Sequence, residues 1–375
     1  MESVEGVPLV EKAADSYQVM EEPPNLDAQK HCPKVSVLMP VYNGECFLKE
    51  AVDSILGQSF EDLELIIIDD GSTDQTPEIL DTYTDPRIVR FRNDKNQGIG
   101  ESSVAATALA RAQYFARMDA DDISEPDRLR IQSAFLDSQP NITAVGSTAI
   151  HIDESSHETG QSTAPVDDLL PWNLIWSNPI YHGSMMVRAG ALFSVGGYDP
   201  TFRLAVDYDL WLRMIAAGQR IVTQNESLLR YRVASTRVTV THRDTQNQFA
   251  KKALRKYLCD FVRPEDVDAN FDAFWAFSRA QRPMRAGEIE QVLKLVREIA
   301  RVASPKNFPV ERKRVHSFLA EMFLSRAAHW ATTSVHTSWQ ATLAAILFYP
   351  RLIATHSLVR QVGRLTRAYV LERCR

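Results

Sequence analysis

A chain of 375 residues is long enough for two domains, or for one large domain with an extension. It is 45% hydrophobic and 24% charged, an ordinary globular composition, and its net charge of −6 speaks against bulk binding of nucleic acid. Cys32, Cys46, Cys259 and Cys374 are scattered without a CxxC pair, which argues against a structural zinc site or a disulfide framework and fits a reducing compartment.

In chain order, residues 1–33 are acidic, contain Pro23, Pro24 and Pro33, and show no periodicity; they read as a mobile arm without a secretory leader. "KVSVLMPVYN" reads as a buried strand that ends near Pro40. "FLKEAVDSILGQS" places Phe47, Leu48, Ala51, Val52, Ile55 and Leu56 on one helical face, with Gly57 at the stop. "LELIIIDDGSTD" is a second buried strand whose polar end carries Asp69, Asp70 and Gly71. A helix ("TPEILDTY"), a strand ("RIVRFRN"), a helix of small residues ("SSVAATALARA") and a fourth strand ("QYFARMDADD") follow. This alternation predicts right-handed βαβ crossovers on a mixed, mainly parallel sheet flanked by helices. Ligands of such sheets gather beyond the C-terminal strand ends. The segments Pro40–Asn43, Asp69–Gly71 and Asp119–Asp121 all fall at that edge.

From 143 to about 235 the pattern predicts short strands ("TAVGSTAIHI", "YHGSMMVR", "RIVTQ", "LLRYRV") and a helix, "DYDLWLRMIAAG", stopped by Gly218. Beyond about 240 the chain reads as helical, at 243–260, 267–281, 286–302, 309–332 and 337–371, so the division is 1–33, 34–240 and 241–375. Residues 351–375 carry six Arg and one acid, Glu372, among apolar positions; a basic amphipathic stretch of this kind lies on an anionic membrane surface or packs with a solvated Arg face. No run approaches the roughly 18–20 apolar residues of a spanning helix.

The densest chemistry is in "FARMDADDISEPDRLR", where Asp119, Asp121, Asp122 and Glu125 crowd behind an apolar strand. Oxygen ligands at this spacing suit a hard cation, Mg²⁺ or Mn²⁺, bridged to substrate phosphates. An EF-hand is excluded, because Ser124 stands where that loop needs Gly. Asp122 is expected to cap the following helix, with Pro126 in its first turn and Glu125 beside it.

Taken together, "VSVLMPVYNGECFLKEAVDSILGQSFEDLELIIIDDGSTDQT", "NQGI", "ARMDADDISEPDRL", "GGYDP" and "VDYDLWLR" resemble, in order and in spacing, the inverting family 2 glycosyltransferases of GT-A fold, from Val35 to about Arg232. The resemblance implies a nucleoside-diphosphate sugar donor, with a UDP-sugar favoured, and a glycan or lipid-linked acceptor. It places Pro40, Tyr42 and Asn43 in the nucleotide pocket, Glu45 near it, and Asp70 on the base, where a carboxylate accepts ring N–H groups. Gly98 and Gly100 of "NQGIG" would let the chain approach the nucleotide. Asp119-Ala120-Asp121 matches the family's DXD motif, with Asp121 as the direct metal ligand and Asp119 on the ribose or supporting the metal. Asp207 matches the general base, with Val206 in place of the usual acidic neighbour and Asp209 as competitor. The family's His after "LLRYR" is replaced by Ala234, and Arg230, Arg232, Arg237 and His242 are candidate substitutes. His182 matches an acceptor-side polar position or is structural. Absence of a QxxRW signature points to addition of one or a few sugars. The implied setting is cell-surface polysaccharide or glycolipid assembly, in the cytoplasm or at the cytoplasmic membrane face.

Three rivals stand beside this reading. A receiver domain explains Asp69-Asp70 but neither "MDADD" nor "VDYDLW". A sugar nucleotidyltransferase wants a Gly-rich basic loop where "MPVYNGE" stands. A non-catalytic sugar-nucleotide-binding protein that kept the fold is compatible with Val206 and Ala234.

Overall fold

The computed structural model describes residues 32–163, 169–234, 242–285, 287–302, 312–330 and 334–348. The expected arm, all but its last two residues, and the basic stretch 351–375 lie outside these residues, as does Arg237. Contacts divide the chain into two units, one within 1–167 and 179–250, the other within 168–178 and 251–375.

The first unit is built on a nine-stranded sheet. Strands β1 (Val35–Val41), β2 (Leu63–Asp69), β3 (Ile88–Arg92) and β4 (Tyr114–Arg117) pair in parallel in the order β3-β2-β1-β4. Every residue of β1, β2 and β4 is buried, because helices cover both faces of a parallel sheet; this is why "LELIIID" reads as a continuous apolar run. The crossovers are helices α1 (Leu48–Leu56), α2 (Thr76–Asp81) and α3 (Ile99–Leu109). In α1, Leu48, Ala51, Val52 and Ile55 are buried and Gly57 forms the C-cap. In α3 the buried face is small (Ser102, Ser103, Ala105, Ala106, Thr107), which lets the helix approach the sheet closely.

Past β4 the sheet changes direction. Strand β8 (Met186–Arg188) pairs antiparallel with β4 and with β6 (Ala144–Ile152). β6 then runs parallel to β9 (Ile221–Arg232), and the two-residue β5 (Ile123–Ser124) closes the order on β9. The two strands expected at "RIVTQ" and "LLRYRV" are one twelve-residue strand, β9, whose ladder with β6 skips Asn225 and Glu226 at a register shift and resumes at Ser227. The "YHGSMMVR" segment opens as a 3₁₀ turn at His182–Ser184 before β8 begins. Strand β7 (Glu158–Gln161), fully exposed on the flank of β6, had no apolar alternation to mark it.

Pro40 has a defined place in this ladder. Val41 O accepts from Asp70 N at 2.8 Å, so odd residues of β1 face β2. Even residues face β4, and their last bond there is Met118 N to Leu38 O at 3.0 Å. Pro40, the next even residue, has no N–H to offer, so the chain after Met118 is free to leave the sheet. The acidic loop departs at that point.

Helices α4 (Arg128–Ser138), α6 (Ala189–Ser194) and α7 (Val206–Ala216) complete the first unit. The second is helical: α5 (Leu170–Trp176), most of α8 (Arg243–Cys259), then α9 (Pro264–Ser278), α10 (Glu288–Val302), α11 (Arg312–Trp330) and α12 (Val335–Phe348). Its core is aromatic. Trp176 lies 5.2 Å from Phe274 and 6.0 Å from both Phe277 and Phe323, ring centre to ring centre. This explains why residues 168–178 group with the helices that follow the sheet in sequence. Among the described residues no helix is long and apolar enough to cross a membrane.

Candidate active site

The first two strand-end loops are tied to each other. Asn43 donates its N–H to Ser72 Oγ (2.9 Å) and accepts Thr73 N at Oδ1 (2.9 Å). Gly44 N donates to Thr76 Oγ1 (2.8 Å), Glu45 N to Asp74 Oδ2 (3.0 Å), and Glu45 Oε2 accepts Gln75 N (2.9 Å). Asn43 adopts φ 51°, an uncommon left-handed conformation that this lattice of bonds sustains. Pro40 is buried in β1, whereas Tyr42 is exposed (48%) above the interlocked loops.

Asp70 organises the third side. Its Oδ1 accepts Asn93 Nδ2 (2.7 Å) and Gln97 N (3.0 Å), and its Oδ2 accepts Gly98 N (2.8 Å). Gly71, at φ 72°, lies so close to Lys95 that a Cβ would stand 2.7 Å from its carbonyl carbon. What faces Gly98 and Gly100 here is protein. A Cβ on Gly98 would meet Arg203 Nε at 3.3 Å, and one on Gly100 would meet the Phe202 carbonyl at 2.3 Å. The two glycines therefore admit the Asp199–Arg203 segment, which leads into α7 and Asp207.

The acidic cluster is balanced by fixed arginines. Arg117, buried on β4, donates Nε (3.0 Å) and Nη2 (2.9 Å) to Asp119 Oδ1. Arg128 is fully buried, donates Nη2 to the Arg117 carbonyl (2.7 Å), and has its pKa pushed down to about 10 by burial, against the opposing pull of Asp119 and Asp122. Arg232 is fully buried at the end of β9. Its backbone N–H donates to Asp122 Oδ1 (2.9 Å) and its Nε to the Asp121 carbonyl (2.9 Å). Its Nη1 donates to the Asp153 carbonyl (3.0 Å) and Ser156 Oγ (3.1 Å), its Nη2 to Glu50 Oε2 (2.7 Å), and the guanidinium lies 4.2 Å over the Phe47 ring. Arg230 donates Nε to Glu125 Oε1 (2.8 Å).

Two expectations change as a result. Asp122 does not cap a helix: α4 begins only at Arg128, with Asp127 as N-cap and β5 in between, and buried Asp122 instead receives the end of β9. Glu125 is likewise drawn to Arg230 of β9. Of the candidate substitutes for the missing His, Arg232 is committed to a clamp, Arg230 to Glu125, and His242 is exposed at the start of α8.

Asp207 stands in the first turn of α7, directly after Ala205, whose φ of 56° turns the chain sharply into the helix. Asp209 is buried and bound to Arg213, with Nε at 2.8 Å and Nη2 at 2.7 Å, so this competitor is an intrahelical partner. Within reach of the charges of Asp207 and Asp119 lies a hydrogen-bonded pair, His182 and Tyr198. His182 Nε2 is 2.8 Å from the Tyr198 hydroxyl, and its ring lies edge-on to Trp211 of α7 at 5.9 Å. Burial first, and then Arg117, pushes the His182 pKa down to about 3, with Asp119 opposing. Burial raises the Tyr198 pKa, Asp207 and Asp119 adding to the rise and Arg117 and Arg213 opposing it. The next residue, Gly183, approaches the acids: a Cβ there would stand 3.2 Å from Asp122 Oδ2 and 3.4 Å from Asp119 Oδ2. Asp119, Asp207, His182 and Tyr198 thus occupy one locality, to which no local pattern assigned Tyr198.

The residues present fit a hard cation. Asp119 and Asp121 are half-buried carboxylates, and Asp119, with Asp122, borders a cradle that a side chain on Gly183 would fill. Among the described residues no group of three or more His, Cys, Asp or Glu forms a metal cage. Mg²⁺ or Mn²⁺ held by one or two carboxylates and completed by substrate phosphates needs no such cage.

The family model described as Glycosyl transferase family 2 matches residues 36–201. An uncharacterized glycosyltransferase of Haemophilus influenzae is 30% identical over 251 residues, covering 64% of this chain and 77% of that protein. The Escherichia coli chondroitin synthase is 32% identical over 195 residues, 50% of this chain and 27% of the synthase. Among solved structures, S. aureus TarS 1–349 in complex with UDP-GlcNAc aligns with TM-score 0.54 at 17% identity, covering 85% of this chain and 91% of that one; the chain spans 54% of a longer TarS crystal structure. The chain belongs to glycosyltransferase family 2, and its fold is of the GT-A kind with a helical C-terminal part. It is a glycosyltransferase.

Replacing Arg232 with Met strands the Asp121 and Asp153 carbonyls and should cost on the order of 2–4 kcal/mol in urea denaturation, whereas Glu50→Gln, at a half-exposed partner, should cost within about 1 kcal/mol. For His182 the folded pKa lies below the ordinary 6.5, so its contribution to stability is full above 6.5 and is lost as pH falls towards 3. The imidazole NMR shifts of His182 should stay constant from about pH 8 to 5, and His182→Gln should flatten the fall in urea midpoint below about pH 6.5.

Proposed function

We propose that the protein transfers a sugar from a nucleoside-diphosphate sugar to an acceptor hydroxyl with inversion, using Asp207 as general base. The observation that carries this reading is that Asp119 and Asp207, 88 positions apart in the chain, both act electrostatically on one group, Tyr198, which is itself hydrogen-bonded to His182. A diphosphate-side acid and a base gathered at one polar centre suit an in-line displacement. The UDP-GlcNAc complex of the structurally similar TarS supports a donor of this class, with a UDP-sugar favoured.

In the proposed complex Tyr42 stacks on the base. Asp70, with three of its lone pairs committed, fixes the Asn93–Gly98 loop and turns its remaining acceptor capacity to the base N–H. Pro40, Asn43 and Glu45 shape the pocket from below, and Gly98 and Ala120 border it. Asp121, with Asp119 beside it, would hold Mg²⁺ or Mn²⁺, which supplies Lewis-acid neutralisation of the charge growing on the leaving diphosphate. Arg117 holds Asp119 in orientation through two hydrogen bonds to Oδ1. The acceptor oxygen bonds to the anomeric carbon, the bond to the diphosphate oxygen breaks with its electron pair, and Asp207 takes the acceptor proton. Arg213 pairs with Asp209 within α7, which commits that acid and leaves Asp207 as the proposed base.

The acceptor is proposed to be a glycan or a lipid-linked glycan in cell-surface polysaccharide or glycolipid assembly, reached from the cytoplasmic side. Contact with a membrane surface, through the C-terminal region, belongs to that proposal.

Asp207→Asn should lower transfer or donor hydrolysis by about 10²- to 10⁴-fold while leaving the Kd for the donor nearly unchanged. A panel of UDP-, GDP- and dTDP-sugars, screened by thermal stabilisation with Mn²⁺, selects the donor. Full turnover by Asp207→Asn would reject the base, and donor binding without nucleoside-diphosphate release by the native chain would establish a non-catalytic binding protein.

A further inference from the structure

We infer that His182, held in place by Tyr198, binds a hydroxyl of the transferred sugar through Nδ1. The inference rests on the nucleotide-sugar reading and extends it to the part of the donor that sets sugar specificity.

His182 is half-buried, and Nε2 is spent on Tyr198 at 2.8 Å, while Nδ1 has no hydrogen-bond partner among the described residues. The ring is tied to both halves of the site through its neighbours. It packs at a near right angle to Trp211, one helical turn beyond Asp207, its partner Tyr198 is acted on by the charges of Asp207 and Asp119, and the next residue, Gly183, lies within Cβ distance of Asp119. In an in-line displacement the anomeric carbon lies between the leaving diphosphate and the incoming oxygen. A side chain flanked by residues of both sides is therefore placed to reach the sugar ring.

The chemistry of the group names the ligand. If Tyr198 donates to Nε2, the ring carries its proton on Nδ1 and donates; if Nε2–H donates to Tyr198, Nδ1 accepts. A sugar hydroxyl satisfies either tautomer. A phosphate or carboxylate would want a cation, and a ring kept neutral by burial beside Arg117 does not supply one. Tyr198 is a positioning residue: its hydroxyl touches His182, and through it sets the direction of Nδ1.

The test is calorimetry on the full chain with Mn²⁺. It compares UDP with UDP-GlcNAc, UDP-glucose and, against GDP, GDP-mannose, and uses the sugar nucleotide that the native chain binds tightest. His182→Ala should hold the Kd of the bare nucleotide within about twofold and weaken the sugar nucleotide roughly 3- to 10-fold, the worth of one neutral hydrogen bond. Tyr198→Phe, which removes one oxygen, should shift the same ratio in the same direction, and His182→Gln should recover part of it. Should His182→Ala not fold, Tyr198→Phe carries the comparison. Equal losses for nucleotide and sugar nucleotide, or no loss, would overturn the inference while leaving the donor reading intact. Failure of the native chain to bind any of these nucleotides would overturn both.

Discussion

The acidic loop after β4 exists because guanidinium groups are buried beneath and beside it. Asp119, Asp121, Asp122 and Glu125 stand against Arg117, Arg128, Arg232 and Arg230. Unpaired, carboxylates at that spacing would be driven to protonate by mutual repulsion and burial. The arginines instead hold them in place at no cost in net charge. Arg128, bonded to the Arg117 carbonyl and to Gln132, would be expensive to bury alone; the field of Asp119 and Asp122 is what makes it tolerable. Acids and bases here stabilise one another, and neither set is explicable without the other.

The same compensation decides where the loop goes. Arg232 ties the Asp121 carbonyl, the 153–156 turn and α1 to the end of β9, and Pro40 withholds the donor that would have extended β4. On the opposite wall, Gly98 and Gly100 let the Asp199–Arg203 segment press against α3, and Ala205 turns into α7 at a positive φ. An acid from the first half of the sheet and an acid from α7 both act electrostatically on the same tyrosine. Positive φ at Asn43 and Ala205 places local strain in the loop after β1 and at the entry to α7.

Much of this was legible in the sequence. Continuous apolar runs gave the buried parallel strands, and the acids at their ends marked the crevice, because burial and polarity change abruptly at a strand terminus. The rest depended on partners far along the chain. Asp122 reads locally as a helix cap, but its partner is Arg232, 110 positions on. Gly98 reads as room for a ligand, and its missing Cβ also makes room for Arg203, more than 100 positions on. Residues 170–176 are apolar at nearly every position, which does not say which core will take Trp176. Tyr198 sits in a turn motif and offers no signal of its hydroxyl's role until His182 is placed beside it.

The central claim is a single displacement at the anomeric carbon with Asp207 accepting the proton. Time-resolved proton NMR of donor hydrolysis, with water as the acceptor and Mn²⁺ present, reads this directly from the anomeric signal before mutarotation. An α-linked sugar nucleotide should release the β-sugar first. First appearance of the α-sugar would mean retention, and would contradict the account.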